Sequence, residues 1–166
     1  KIYLGSAQHL LKNYRDAIPK VEQYLAERGW SDYFYVRPGF DEASVDLVPE
    51  IRAVCAEWKK VSRIPLMETY YHDERADELF GMLDIWARSV SDKPWIRERM
   101  ATGDRFWKVN AFPNHLEPAP WTIRRSYLNF WDYRFTGTYI WTVKQWDRVA
   151  KWGEDYWCDA GVGNLA

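Results

Sequence analysis

The sequence predicts an α/β domain made of repeated strand–helix units around a mainly parallel sheet. Three observations predict it. Short aromatic or β-branched runs recur near residues 33, 64, 82, 105 and 138. Helical apolar stripes lie between them. Gly or Pro marks many of the junctions. Strands alternating with helices give βα units, which place parallel strands under covering helices. Two architectures fit: the C-terminal five or so βα units of a (β/α)8 barrel, or a small open doubly wound sheet. A whole barrel takes about 250 residues. The chain has 166, so the barrel option reads residues 1–166 as a single domain that is a fragment of a larger one.

Residues 7–28 carry Leu10, Leu11, Tyr14, Ile18, Val21 and Leu25 at helical spacing. Pro19 interrupts the stripe, so the segment is a kinked helix or two helices, and Gly29 stops it. Residues 33–36 read as the first strand, closed by Pro38 and Gly39. Ser44 is placed to cap a helix whose apolar stripe is Val48, Ile51, Val54, Cys55 and Trp58. Residues 64–69 read as the second strand, with Pro65 at its beginning. Residues 76–80 make a weak helical turn and 82–86 the third strand. A helix at 91–100 has Pro94 in its first turn and ends at Gly103. The fourth strand spans 105–112, and Pro113, Pro118 and Pro120 mark a long loop. A helix at 121–135 and a fifth strand at 138–143 follow, and the tail after Lys144 reads as loop.

Composition narrows the function. Lys plus Arg number 23 and Asp plus Glu 24, for a net charge of −1. That balance argues against a nucleic-acid partner, which calls for a basic excess. No apolar run approaches the roughly 18 residues of a membrane span, and the given residues are not expected to include a signal peptide. The chain begins at Lys1, so its compartment is not readable from the N-terminus. Cys55 and Cys158 make no disulfide framework and read as two buried free thiols, with a single bridge between them as the alternative. His9, His72 and His115 have no ligand spacing, so neither metal nor cofactor is expected. Gly161-Val162-Gly163 has no helix after it, and no serine sits in a G-x-S-x-G elbow, so dinucleotide binding and an α/β-hydrolase triad are unsupported. The anomaly is aromatic: 11 Trp, 11 Tyr and 7 Phe, 17% of the chain. Such a surplus serves either as stacking platforms and partner surface, or as a Trp-rich core.

In both architectures ligands bind beyond the C-terminal strand ends. Asp41 and Glu42 follow the first predicted strand. Neighbours on a regular strand point oppositely, but where the chain bends both carboxylates can reach one ligand. In glycoside hydrolysis one carboxylic acid protonates the leaving oxygen while another stabilises the developing positive charge. The alternative is an acidic loop that caps the next helix. Glu68 and Thr69 end the second predicted strand, Asp84 and Trp86 the third, and Trp107 and Asn110 lie near the end of the fourth. Tyr139 and Trp141 are two apart and share a face of the fifth, with Trp146 beyond. Glu68, Trp86, Trp107, Asn110, Tyr139, Trp141 and Trp146 are therefore candidate sugar contacts. Core packing or loop bonding is the alternative for each.

Taken together, these segments resemble the catalytic domain of glycoside hydrolase family 123 and its uncharacterised relatives, over about residues 10–160. Glu27-Arg28-Gly29-Trp30 leads into the aromatic strand and Asp41-Glu42. Met82-Leu83-Asp84-Ile85-Trp86, then Ile96-Arg97-Glu98-Arg99-Met100-Ala101-Thr102-Gly103-Asp104, then Phe106-Trp107-Lys108-Val109-Asn110 follow in order. Gly137-Thr138-Tyr139-Ile140-Trp141-Thr142-Val143 is similar to that family's final barrel strand. One departure is Ala43-Ser44, where a Pro commonly follows the acidic pair.

The resemblance implies a (β/α)8 barrel whose fourth strand carries Asp41 and Glu42, with three strands ahead of Lys1 and the final helix beyond Ala166. It implies a retaining, β-N-acetylgalactosaminidase-like hydrolase acting by substrate assistance. Asp41 would orient the 2-acetamido group. Glu42 would be the general acid and then the base, and burial beside the Asp41 charge is expected to keep it protonated at the outset. Tyr139 and Trp141 would line the pocket. The partner would be a carbohydrate, and a secreted or periplasmic location is suggested. Two other readings are carried forward: a non-catalytic carbohydrate-binding barrel, and a structural or partner-binding α/β domain. A part-barrel has open sheet edges, so the chain alone is expected to be poorly stable or self-associating.

Overall fold

The computed structural model describes residues 2–89, 92–110, 128 and 132–140. Along them strands and helices alternate: β1 (Ile2–Ser6), α1 (Ala7–Tyr14), α2 (Ile18–Glu27), β2 (Phe34–Arg37), α3 (Val48–Val61), β3 (Met67–Thr69), β4 (Ile85–Arg88), α4 (Pro94–Ala101), β5 (Arg105–Asn110) and β6 (Gly137–Ile140). β1 pairs with β2 in one small open sheet, and β3, β4, β5 and β6 form a second. Every pairing is parallel. A parallel bridge from Val36 to Leu66 links β2 to the entry of β3, where the Val36 N–H donates to the Pro65 carbonyl at 3.0 Å. The domain is thus mixed α/β with parallel strands, and neighbours in each sheet are consecutive in the chain.

Several elements differ from the sequence expectations. β1 was not expected, and it makes the Asp41–Glu42 strand the second in the chain. The stripe over 7–28 resolves into two α-helices joined by a 3-10 turn at Arg15–Ala17, with Pro19 in the first turn of α2. Ser6, not predicted as a cap, accepts a hydrogen bond from the His9 N–H at the start of α1. Ser44 makes no side-chain cap; it precedes a 3-10 turn at Val45–Leu47, and α3 starts at Val48. The third predicted strand is displaced toward the C-terminus. Met82 and Leu83 give their N–H groups to the Leu79 carbonyl, so the ladder opens only when Asp84 and Ile85 donate to Leu66. Residues 111–112 and 141–143, residues 121–127 and 129–131 of the predicted 121–135 helix, the proline loop and the tail after Lys144 lie outside the described residues, as does Cys158; Cys55 is a buried free thiol.

Side chains alternate across a strand, and the two faces here carry different cores. Val36, Leu66, Trp86 and Phe106 pack with Ile18 and Leu25 of α2, with Val48, Ile51, Cys55 and Trp58 of α3, and with Ile96 of α4. Tyr35, Met67, Ile85, Ala87 and Trp107 form a second cluster that contains no helical residue. The described helices therefore cover one face of the strands. Part of the Trp surplus is packing. Trp58 donates its indole N–H to the Ile64 carbonyl at 3.0 Å. Trp86 stacks on Phe106 with ring planes 6° apart and donates to Asp104 at 2.9 Å. These two buried indoles thus have their polar atoms satisfied, as burial requires.

Candidate active site

The C-terminal ends of β2 and β3 bring three charged side chains together. β2 closes on Arg37, and Pro38-Gly39 turns the chain. Gly39 has φ 128°, and a Cβ there would come within 2.6 Å of Ser6 Oγ, so the turn closes against the end of β1 only with glycine. Gln8 N–H donates to the Pro38 carbonyl at 3.2 Å across the same junction. The turn then returns Phe40 and Asp41 to Arg37. Arg37 Nη2 donates to the Phe40 carbonyl and to Asp41 Oδ1, both at 2.8 Å.

The same nitrogen donates to Glu68 Oε1 at 3.1 Å and lies 3.4 Å from Thr69 Oγ1. Asp41 and Glu68, from different strand ends, thus share one guanidinium nitrogen. Their environments are opposite. The Glu68 side chain is wholly buried, whereas that of Asp41 is 54% exposed. Burial pushes the Glu68 carboxyl up to about 7, against the pull of Arg37 and of the Thr69 N–H. Burial also works against the Arg37 charge, but Glu68 and Asp41 more than offset it and hold the guanidinium above its ordinary range. Among the described residues, Glu68 Oε2 and Arg37 Nε have no hydrogen-bond partner although both are buried.

Glu42 departs from the arrangement expected of it. It is exposed, which corrects the expected burial, and its backbone sits at φ 46° in the left-handed region. A non-glycine residue there costs on the order of 1–2 kcal/mol, a strain that is found preferentially at functional turns. The acidic pair is therefore divided: Asp41 is held by Arg37, and Glu42 stands in solvent on a strained bend.

No protein-family model matches this sequence, and no curated protein matches it.

The other candidates do not gather at this site. β4 begins at Ile85, so Asp84 lies at its N-terminal entry and not at its end. There Asp84 Oδ2 accepts from the Leu66 N–H at 2.9 Å, and Lys59 pairs with the carboxylate at 3.2 Å. Trp86 is wholly buried on the helix-covered face, which corrects its placement as a sugar contact. Glu68 sits at the strand end as expected but leaves no surface for a ligand to touch. Trp107 is 8% exposed, on the face that no described helix covers, and packs against Tyr35. Asn110 and Tyr139 lie on β5 and β6, in register with Ile140 and Val109 respectively. Trp141 and Trp146 lie outside the described residues.

Two residues at these strand ends were not anticipated. Arg37 is one. The other is Arg88 at the end of β4, whose side chain is almost fully buried, donates to Asp73 at 3.0 Å and stacks 4.8 Å over Trp95. The available signal was an arginine closing an apolar strand run, Tyr35-Val36-Arg37 and Trp86-Ala87-Arg88. Among the described residues no group of His, Cys, Asp and Glu side chains is placed to hold a metal ion, and no helix is long and apolar enough to cross a membrane.

Proposed function

We propose that this chain belongs to a retaining glycoside hydrolase that acts on a 2-acetamido sugar by substrate assistance, as the resemblance to glycoside hydrolase family 123 implies. The observation that carries the reading is the position of Asp41 and Glu42 in the bend directly after β2, with Asp41 fixed by Arg37 at 2.8 Å. The acetamido oxygen attacks the anomeric carbon. Asp41 accepts the acetamido N–H and Glu42 gives its proton to the leaving oxygen. Glu42 then takes a proton from the water that opens the oxazolinium-like intermediate. No carboxylate nucleophile is needed. Glu42 is exposed to solvent, which is where that water arrives.

A (β/α)8 barrel is the architecture proposed for the complete domain. Consecutive parallel neighbours, and described helices on one face, support it over a doubly wound sheet, which reverses its strand order and carries helices on both faces. On this reading β1 is the barrel strand before the one that bears the acids, so that strand lies within the chain and not ahead of Lys1, where the resemblance had put it.

The test is hydrolysis of aryl 2-acetamido galactosides and glucosides beside the plain galactoside, by the full-length protein and its Glu42→Gln variant. Turnover of an acetamido sugar alone, lost in the variant, is expected. Undiminished activity in a folded Glu42→Gln protein removes the assignment. The exposure of Glu42 also suits a binding-only barrel, in which the acids accept hydrogen bonds from sugar hydroxyls. Saturable sugar binding without cleavage would select that reading.

A further inference from the structure

We propose that Glu68 is a positioning residue that fixes Asp41 by holding Arg37; this rests on the reading of Asp41 as the group that orients the acetamido substituent. Glu68 is wholly buried and touches no ligand from its place in β3. Its effect has to pass through Arg37, whose Nη2 faces Glu68 and Thr69 on one side and Phe40 and Asp41 on the other.

An exposed Asp–Arg pair is a weak restraint, because water competes for both partners and the side chains keep their freedom. Arg37 is different because its guanidinium is anchored from beneath. Its side chain is 11% exposed, and the buried carboxylate fixes the donor independently of what Asp41 does. Asp41 then meets a donor that is already in place, which is how a surrounding shell gives a reacting group its geometry. The pair is also incompletely satisfied. Among the described residues, Glu68 Oε2 and Arg37 Nε are buried without partners. Such atoms are costly in a purely structural ion pair, and their retention fits a pair kept for orientation.

The charged and titratable groups facing Glu68 are Arg37 from β2, Asp41 from the following turn and Cys55 from α3. Burial pushes the Cys55 thiol up to about 12, so it stays neutral. Arg37 stays charged. Glu68, pushed up to about 7, is therefore the member whose charge changes near neutrality.

The experiment follows the Arg37 side chain by nitrogen-resolved NMR in the full-length protein and in Glu68→Gln and Glu68→Met. Both variants keep the side-chain volume. The ratio of kcat/KM for the acetamido galactoside over the plain galactoside is measured alongside. In the unmodified protein the Arg37 Nε resonance is expected to titrate with a midpoint near the 7 of Glu68, and Glu68→Gln should abolish that titration. Rotation of the Arg37 guanidinium should quicken about tenfold in Glu68→Met and stay slow in Glu68→Gln, whose amide oxygen still accepts. Acetamido preference should fall about tenfold in Glu68→Met and recover in Glu68→Gln. Unchanged Arg37 rotation in a folded Glu68→Met protein overturns the proposal. So does an Arg37 guanidinium that already rotates freely in the unmodified protein, a result that needs no variant to fold. Release of Arg37 in Glu68→Met, in a protein that cleaves no acetamido sugar, would support the hold of Glu68 on Arg37 and overturn the reading of Asp41.

Discussion

Tyr35 on β2 and Trp107 on β5 meet edge to face, with ring centroids 5.5 Å apart and planes at 84°, although β3 and β4 lie between their strands. Neighbouring strands are about 4.8 Å apart, so three spacings in a flat sheet would part them by roughly 14 Å. The contact therefore requires the strands to curl, with Tyr35 and Trp107 on the concave face. Such a pair contributes about 0.5–1.5 kcal/mol beyond the area it buries. A double-mutant cycle of Tyr35→Leu and Trp107→Leu, followed by urea unfolding, should return a coupling in that range. Strictly additive losses would mean that the two rings do not meet in solution.

The same indole dictates the residue beside it. Trp107 is in register with Gly137 on β6, and a Cβ at Gly137 would lie 2.5 Å from Trp107 Nε1 and 2.6 Å from its Cδ1. These are ring atoms of a side chain packed on its other side by Tyr35, so the ring has little room to retreat. Gly137→Ala should destabilise the fold by about 1–3 kcal/mol through overpacking and shift the tryptophan emission. Unchanged stability with unchanged emission would show that the ring is free to move.

At Glu42 stability and function pull in opposite directions. The left-handed backbone at φ 46° favours glycine, so Glu42→Gly should raise stability by about 1 kcal/mol. On the proposed reading the same change removes the proton donor and abolishes hydrolysis of acetamido sugars. Glu42→Gln should abolish it with no gain in stability. Thermal unfolding beside a glycosidase assay separates these effects. A Glu42→Gly protein no more stable than its parent would show that the bend costs nothing.

These cases show which features a linear reading reaches. The stripe of α3 was legible because Val48, Ile51, Val54, Cys55 and Trp58 recur at helical spacing; all are buried but Val54, which is half-buried against the same core. The position of Asp41 and Glu42 after β2 was legible because Pro38-Gly39 marks the turn. β1 was not, since Ile2-Tyr3-Leu4-Gly5-Ser6 is short, contains a glycine and becomes a strand through a distant partner, β2. The start of β4 was misplaced because Met82 and Leu83 look continuous with Ile85, while the Leu79 carbonyl claims their N–H groups. The union of Arg37 with Glu68 has no linear signal at all, because the strand bridge between Val36 and Leu66 creates it.

That buried pair sets a pH dependence whose sign differs from that of the usual surface carboxylate. An ordinary glutamate has a value of 4.5, and burial pushes Glu68 up to about 7 in the fold. Between those values the unfolded chain has released the proton that the native protein still holds. The stability that Glu68 contributes is therefore fully present below about 4.5 and is lost as pH rises through about 7. The span of the shift limits the loss to the order of 3 kcal/mol. Glu68→Gln has no proton to release, and Asp41 remains as a counter-charge for Arg37. The variant should match its parent near pH 4.5 and exceed it at pH 8. Urea unfolding of both proteins at several pH values measures this, and the difference between them isolates Glu68 from every other titrating group. If the parent instead gains stability over the variant as pH rises, the ion pair with Arg37 outweighs burial and Glu68 is charged throughout the range.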